Sequence, residues 1–361
     1  MEMLSLNISS YSKPSEYQVS KLPTPTLVNS KDVIVKVYAA SINPIDVKRA
    51  DGALKLAVKD PVSFPYKIGY DCAGVVQEIG RDVKKFQVGD AVYIRLPEVS
   101  RGSCSEFIRC SEEHIGLKPP SLSFEEAASI PLAAMTALQA LRLYRGDLAG
   151  KTVFVPAGLS GTGLFACQLA KHVFHAGKVI TTVSTAKIPK LAELLGENTI
   201  DQVIDYTNSD PRDVIEHGTI DFLFDTVGLS MELLCLMRPG SSRIVSVSTL
   251  PSGNQLQASP LMDLPHKPTI PFAFRMGLNL TDQVRKVRAR RYKTEYSYMF
   301  LVSSGKELDE LRRYVEDGRL KTVVGTVVDL QDIEAVRKAC GTVYSGRGGI
   351  GKLVIRVRGS E

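Results

Sequence analysis

The sequence predicts an α/β protein of two domains, a bent β-rich unit and a doubly wound parallel sheet. Three observations predict it. Short Val/Ile runs punctuated by Gly69, Gly74, Gly80 and Gly89 follow an alternating apolar segment in the first third of the chain. A strand, a glycine-rich turn, a helix and a second strand succeed one another between Lys151 and Ser184. Apolar segments then alternate with helical ones to about Thr249, the pattern of a parallel sheet covered by helices.

Composition limits what such a fold can do. The chain has 361 residues, 44% hydrophobic and 23% charged, which is enough for one large core or two ordinary ones and rules out a disulfide scaffold or a disordered tail. The net charge of +6 is mild, and the basic residues are scattered except from Arg285 to Lys293, a run expected to be a solvated helix or an anionic-substrate patch. No nucleic-acid partner is expected. Six cysteines lie far apart without a C-x-x-C pair, and the first residues lack a signal-peptide pattern, so a reduced, cytoplasmic protein is expected. No apolar stretch approaches the roughly 18 residues of a bilayer span, and no membrane partner is expected.

The elements follow in order. Lys31–Ser41 alternates Val33, Val35 and Val37 with Ile34, Lys36 and Tyr38, which is strand spacing, and ends at the turn Asn43-Pro44. Asp46 is expected to fix that turn or cap a helix. Ser123 and Glu126 form a capping box, and Pro131 divides the Ala- and Leu-rich stretch behind it into two helices. Residues 250–297 hold five prolines and are expected to be an irregular, lid-like segment. From Met299 a helix-like ELDELRRYVEDG, two β-rich runs and GKLVIRV return to the first unit.

Gly161-Thr162-Gly163-Leu164-Phe165-Ala166 is a G-x-G-x-x-A between a predicted strand and a predicted helix, with Gly158 just before it. Gly161 would allow the tight turn, Gly163 would let backbone approach a pyrophosphate, and Ala166 would let helix and sheet pack closely, with the helix N-terminus supplying N–H groups. Gly158, Ser160, Gly161, Thr162 and Gly163 are the candidate cradle; the plain alternative is a turn that binds nothing. About 20 residues further on, where an NAD enzyme offers a carboxylate to the ribose, stand Thr182, Val183 and Ser184, then Lys187. Ser184 as donor and Lys187 as cation favour NADP(H) over NAD(H).

In this order AASINPIDVKRADG, GYDCAGVVQEIGRDVKKFQVGDAVY, SFEEAASIPLAAMTALQAL, the glycine turn, VIDY, DTVG and GKLVIRV resemble, over nearly the whole chain, the medium-chain dehydrogenase/reductase superfamily in its zinc-free quinone oxidoreductase and enoyl reductase branch. The resemblance implies a GroES-like catalytic domain at residues 1–126 and 298–361, and a Rossmann NADP-binding domain at 127–297. Zinc-dependent relatives hold their catalytic metal with a Cys, the His of Gly-His-Glu and a further Cys or Asp. Here Asn43 and Gly69-Tyr70-Asp71 stand at those positions, and Cys104 and Cys110 are too few for a four-sulfur site. No metal is expected.

The resemblance places Asn43 beside the nicotinamide and Tyr70 in the same cleft, with Tyr70 as first and Lys48 as second candidate donor to the acceptor oxygen. A packed cleft-wall tyrosine and a solvated lysine are the alternatives. It also implies cofactor contacts for Thr136, Tyr206, Val227, Gly228, Met299 and Phe300, of which Thr136, Met299 and Phe300 could equally be core. The implied function is NADPH-dependent reduction of a quinone or an activated C=C bond in an enone or enal, by a protein suited to homodimer formation. Two alternatives stay open: a trans-acting enoyl reductase of a polyketide-type pathway, and a non-catalytic NADPH-binding regulatory protein.

Overall fold

The computed structural model describes residues 1–53, 55, 63–346 and 349–358. From the N-terminus run β1 (Glu2–Ile8), β2 (Gln18–Pro23), β3 (Asp32–Ile42), α1 (Pro44–Ala50), β4 (Tyr66–Lys67), β5 (Asp71–Ile79), β6 (Ala91–Arg95), β7 (Phe107–Ser111) and β8 (Ile115–Leu117). β1 pairs with β2 and β4, while β3 carries β5 and β7 as antiparallel neighbours. The alternation in β3 does not leave one face wet: Ile34 is buried like Val33, Val35 and Val37, and Tyr38 stacks on Phe124. Asn43 and Asp46 close the expected cap on α1, with Pro44 in its first turn.

The Ser123–Glu126 box starts α2 (Phe124–Ala128), and Pro131 opens α3 (Pro131–Arg142), giving the two helices expected. There follow β9 (Thr152–Val155), α4 (Gly163–His172), β10 (Lys178–Val183), α5 (Leu191–Leu195), β11 (Gln202–Asp205), α6 (Pro211–Val214), β12 (Phe222–Asp225), β13 (Arg243–Ser246), α7 (Gly253–Gln257), α8 (Phe272–Arg291) and β14 (Glu295–Tyr298). The six strands form one parallel sheet in the order β11-β10-β9-β12-β13-β14. That is 3-2-1-4-5-6, the doubly wound Rossmann order, with its switch point between β9 and β12. Its central strands are buried on both faces, as Phe154, Phe222, Leu223 and Phe224 show.

Residues 250–297 differ from the irregular lid expected. Their prolines end at Pro271, which leads directly into α8, a helix of 20 residues. Few of its residues are buried, so the apolar periodicity that signals a helix in sequence is weak there. The chain then forms α9 (Gly305–Glu316), β15 (Val324–Asp329), α10 (Ile333–Tyr344) and β16 (Lys352–Arg356). Between the expected helix and GKLVIRV stands one strand and then a helix rather than two β-rich runs: Asp332 caps α10, whose Val336 and Cys340 turn inward at i, i+4 spacing.

β16 inserts between β15 and β3, completing the order β15-β16-β3-β5-β6-β8. Its register decides the site. Leu353 pairs with Ile42 and Ser41 pairs with Asp71, so Asn43, Asp71 and Lys352 meet at one end of three neighbouring strands.

Candidate functional site

The glycine turn follows β9 at the carboxyl edge of the parallel sheet. Ala157, not a glycine, takes the left-handed conformation there, at φ 58°. The glycines answer to close contacts instead. A Cβ on Gly158 would stand 2.2 Å from Thr181 Oγ1 of β10, and one on Gly163 would stand 2.2 Å from Ala157 O. Ser160 Oγ accepts from Gly163 N at 3.1 Å, closing the turn onto α4, and Thr162 is the helix N-cap. Gly163 is therefore required by the turn itself. Gly161 is the residue that faces outward across the cleft, where a Cβ would come 2.8 Å from Lys352 Cδ.

Lys352 reaches this point from β16 and is only 4% exposed. Its Nζ donates to Asn43 Oδ1 and to Ile42 O at 3.4 Å, and lies 3.9 Å from Asp71 Oδ2. Asn43 Nδ2 donates to Asp71 Oδ2 at 2.9 Å, and Leu132 N, in the first turn of α3, donates to Asp71 Oδ1 at 3.0 Å. Asp46 Oδ2 accepts from Asn43 N at 2.6 Å, while its Oδ1 is buried without a partner among the described residues. Burial pushes the Asp46 carboxyl up to about 7, against the pull of its bond from Asn43. Burial lowers the Lys352 ammonium and raises Asp71, and each opposes the other's shift by opposite charge. The cluster fixes a buried cation beside the glycine turn.

Tyr70 departs from expectation. It is 1% exposed, and its hydroxyl donates to Glu98 Oε2. Glu98 in turn accepts from Arg49 at 2.6 Å, and the Arg95 guanidinium stands 5.0 Å over the Tyr70 ring. Burial raises the Tyr70 hydroxyl well above its ordinary range. The phenol is thus packed into the wall of the β-rich unit with its proton committed to Glu98. Lys48 lies on the exposed side of α1, whereas Asp46, Val47 and Arg49 of the same helix turn inward, so Lys48 does not join the buried cluster.

Most of the remaining candidates follow strands of the parallel sheet. Thr136 is buried on α3. Val227 and Gly228 form a turn after β12 in which Gly228 N donates to Asp225 Oδ1 at 2.7 Å, and Thr226 Oγ1 donates to Pro156 O at 3.0 Å, tying this turn to the glycine turn. Ser184 is half-buried at the end of β10, and Lys187 Nζ donates to Gly349 O at 3.2 Å. Tyr206 is exposed after β11. Beside it stands Asp205, which sequence reasoning missed: it accepts from Thr185 Oγ1 at 2.5 Å, Thr207 N at 3.0 Å and Asn208 Nδ2 at 2.7 Å. These bonds, led by that of Thr185, hold its carboxyl down at about 2. Met299 is buried after β14, and Phe300 packs on Leu256, Met262, Ile270 and Leu278 instead of lining open space.

Residues 29–137 match the alcohol dehydrogenase GroES-like domain and residues 199–355 the zinc-binding dehydrogenase domain. The mitochondrial NAD(P)H oxidoreductase RTN4IP1 of Danio rerio is 31% identical over 335 residues, 87% of this chain and 82% of that protein. The chain belongs to the medium-chain dehydrogenase/reductase superfamily. Other relatives in it are the 2-methylene-furan-3-one reductase of Solanum lycopersicum, 38% identical over 60% of this chain, and the chloroplastic NADPH-dependent alkenal/one oxidoreductase of Arabidopsis thaliana, 37% identical over 59%. The match spans about half the length of these two relatives, 55% and 54%. The solved quinone oxidoreductase of Coxiella burnetii superposes with a TM-score of 0.77 at 27% identity, covering 99% of this chain and 100% of that one.

The zinc named in the second domain does not fit this member of the superfamily. Asn43 has its amide nitrogen on Asp71 and its amide oxygen on Lys352, and Tyr70 gives its hydroxyl to Glu98. Among the described residues no group of three or more His, Cys, Asp or Glu is placed to hold a metal. A nicotinamide dinucleotide does fit: the first turn of α4 offers backbone N–H groups and its positive dipole end, and Lys352 adds a cation opposite Gly161. Lys352 and Asp71 were not singled out from the sequence as site residues. GYD and the closing GKLVIRV lie on strands that flank β3, and only strand register brings them together.

Proposed function

We propose that this protein is an NADPH-dependent, zinc-independent oxidoreductase that reduces a quinone or the activated C=C bond of an enone or enal. The observation that carries the reading is that Asn43 and Tyr70 stand where zinc-dependent relatives have a thiolate and an imidazole, with Asn43 tied to Asp71 and the buried ammonium of Lys352 and Tyr70 tied to Glu98. A metal-free site of this kind suits acceptors that take hydride without Lewis-acid help. The names of the tomato and Arabidopsis relatives and of the Coxiella structure support enone and quinone acceptors alike.

When bound, NADPH supplies the hydride. The chain's residues orient it and manage charge. Gly161 and the first turn of α4 receive the pyrophosphate, and Lys352 places positive charge beside it. Asn43 and Asp71 hold that ammonium in one position, so little rearrangement is needed as negative charge develops nearby. Ser184 and Lys187 receive the 2′-phosphate. The Asp205 carboxylate is nearby, but its bonds from Thr185, Thr207 and Asn208 occupy it. NADPH is preferred to NADH on this account.

The same reading assigns residues 1–126 and 298–361 to catalysis and 127–297 to the cofactor; the two-sheet arrangement supports it except at Tyr298, which belongs to β14 of the parallel sheet. A cytoplasmic location is part of the same reading; no helix among the described residues is long and apolar enough to cross a membrane. The test is oxidation of NADPH with an ortho-quinone, a para-quinone, an enal, an enone and an enoyl thioester. Turnover with a quinone, enal or enone supports the reading. Turnover with the thioester alone favours the enoyl reductase alternative, and NADPH binding without any turnover overturns the enzymatic reading.

A further inference from the structure

Helix α8 turns Leu278, Asp282 and Ala289 inward. Its opposite side carries Phe272, Met276, Leu280, Val284 and Val287, and all five are exposed, Phe272 by 78% and Leu280 by 68%. Spacings of four, four, four and three residues lay these side chains along one stripe of a helix with 3.6 residues per turn. Single exposed apolar residues are ordinary, but a contiguous stripe facing away from the core marks an interaction surface.

Charge narrows the partner. The helix carries six cations against Asp282 alone, in a chain whose net charge is only +6. Asp282 is buried and paired with Lys286 at 2.6 Å, so the solvent side of α8 shows no acidic group. Arg290 and Arg291 continue the stripe at its C-terminal end, with Arg288 and Lys293 exposed beside them. A second copy of this helix would bring one cationic cluster against another. An anionic bilayer answers both features: the apolar stripe enters the acyl boundary, and the arginines lie along it with their heads on lipid phosphates.

We propose that α8 is an interfacial anchor that seats this protein on an anionic lipid bilayer, lying in the surface and not spanning it. No membrane partner is expected from the sequence because no stretch is long and apolar enough to span a bilayer. An interfacial helix has low overall hydrophobicity and is recognised by which side it leaves uncovered.

The test is co-sedimentation of the full chain with phosphatidylcholine vesicles, with and without about one-third phosphatidylglycerol. Binding to the anionic vesicles at least about tenfold above the neutral ones is expected. The double variant Leu280→Asp, Val284→Asp should abolish it, and Arg290→Glu, Arg291→Glu should reduce it to the neutral level. Both pairs are exposed, and an unchanged melting temperature and NADPH affinity would show that the fold is intact. Absence of anionic binding, or binding that both variants retain, overturns the proposal. So does a stable dimer in light scattering that Leu280→Asp dissociates while vesicles are ignored, since a second copy would then cover the stripe.

Discussion

Asn43 donates its side-chain amide to Asp71 at 2.9 Å across the β3–β5 pair, and its amide oxygen takes the ammonium of Lys352 from β16. One asparagine thereby joins three segments far apart in sequence into a single charged unit. Replacing Lys352 with Met would leave Asp71 buried without its cation. Removal of one partner from a buried pair costs about 3 kcal/mol. Chemical denaturation should show that loss, and titration should show NADPH affinity reduced by about tenfold or more.

The Asp46 carboxyl gives the fold a pH dependence of unusual sign. Burial raises the carboxyl to about 7, above the usual aspartate value of about 4, so the folded chain binds the proton more tightly than the unfolded one. Its contribution is full below about pH 4 and is lost as pH rises through 7. The upper bound is about 4 kcal/mol, reduced by the opposing titration of Lys352. Asp46→Asn should flatten the stability profile between pH 4 and 7, as measured by denaturation at a series of pH values.

Tyr70→Phe removes the phenol that Glu98 accepts from and leaves the Arg49–Glu98 pair in place. Stability should fall by about 1.5–3 kcal/mol, the worth of a buried bond to a charged group. The rate constant kcat should stay within about threefold of the parent, because the hydroxyl is not offered to the acceptor; loss of a proton donor would cost about a hundredfold or more.

Much of this was legible in the sequence where the signal is local. The Asn43–Asp46 cap, the Ser123–Glu126 box, the break at Pro131 and the glycine turn each depend on residues within a few positions. The charged cluster was not legible, because Lys352 meets Asn43 only through the register of β16 on β3. The bond from Tyr70 to Glu98 is not legible in the sequence either, because Glu98 lies in a segment after β6 that carries no periodic pattern. Helix α8 was hidden by the prolines before it and by a surface that breaks the usual apolar-inward rule.

Lys187→Ala should raise the KM for NADPH by about tenfold and leave that for NADH unchanged, since one charge-assisted contact to the 2′-phosphate is removed. Initial-rate kinetics with both cofactors check this. An equal effect on the two would place Lys187 outside the phosphate site.

The most direct measurement is the rate of NADPH oxidation with an active quinone or enone by the untreated protein, by protein dialysed against a strong chelator, and by the dialysed protein after addition of zinc. The account predicts the same rate in all three states. Loss of activity on dialysis, with recovery on zinc, would contradict it.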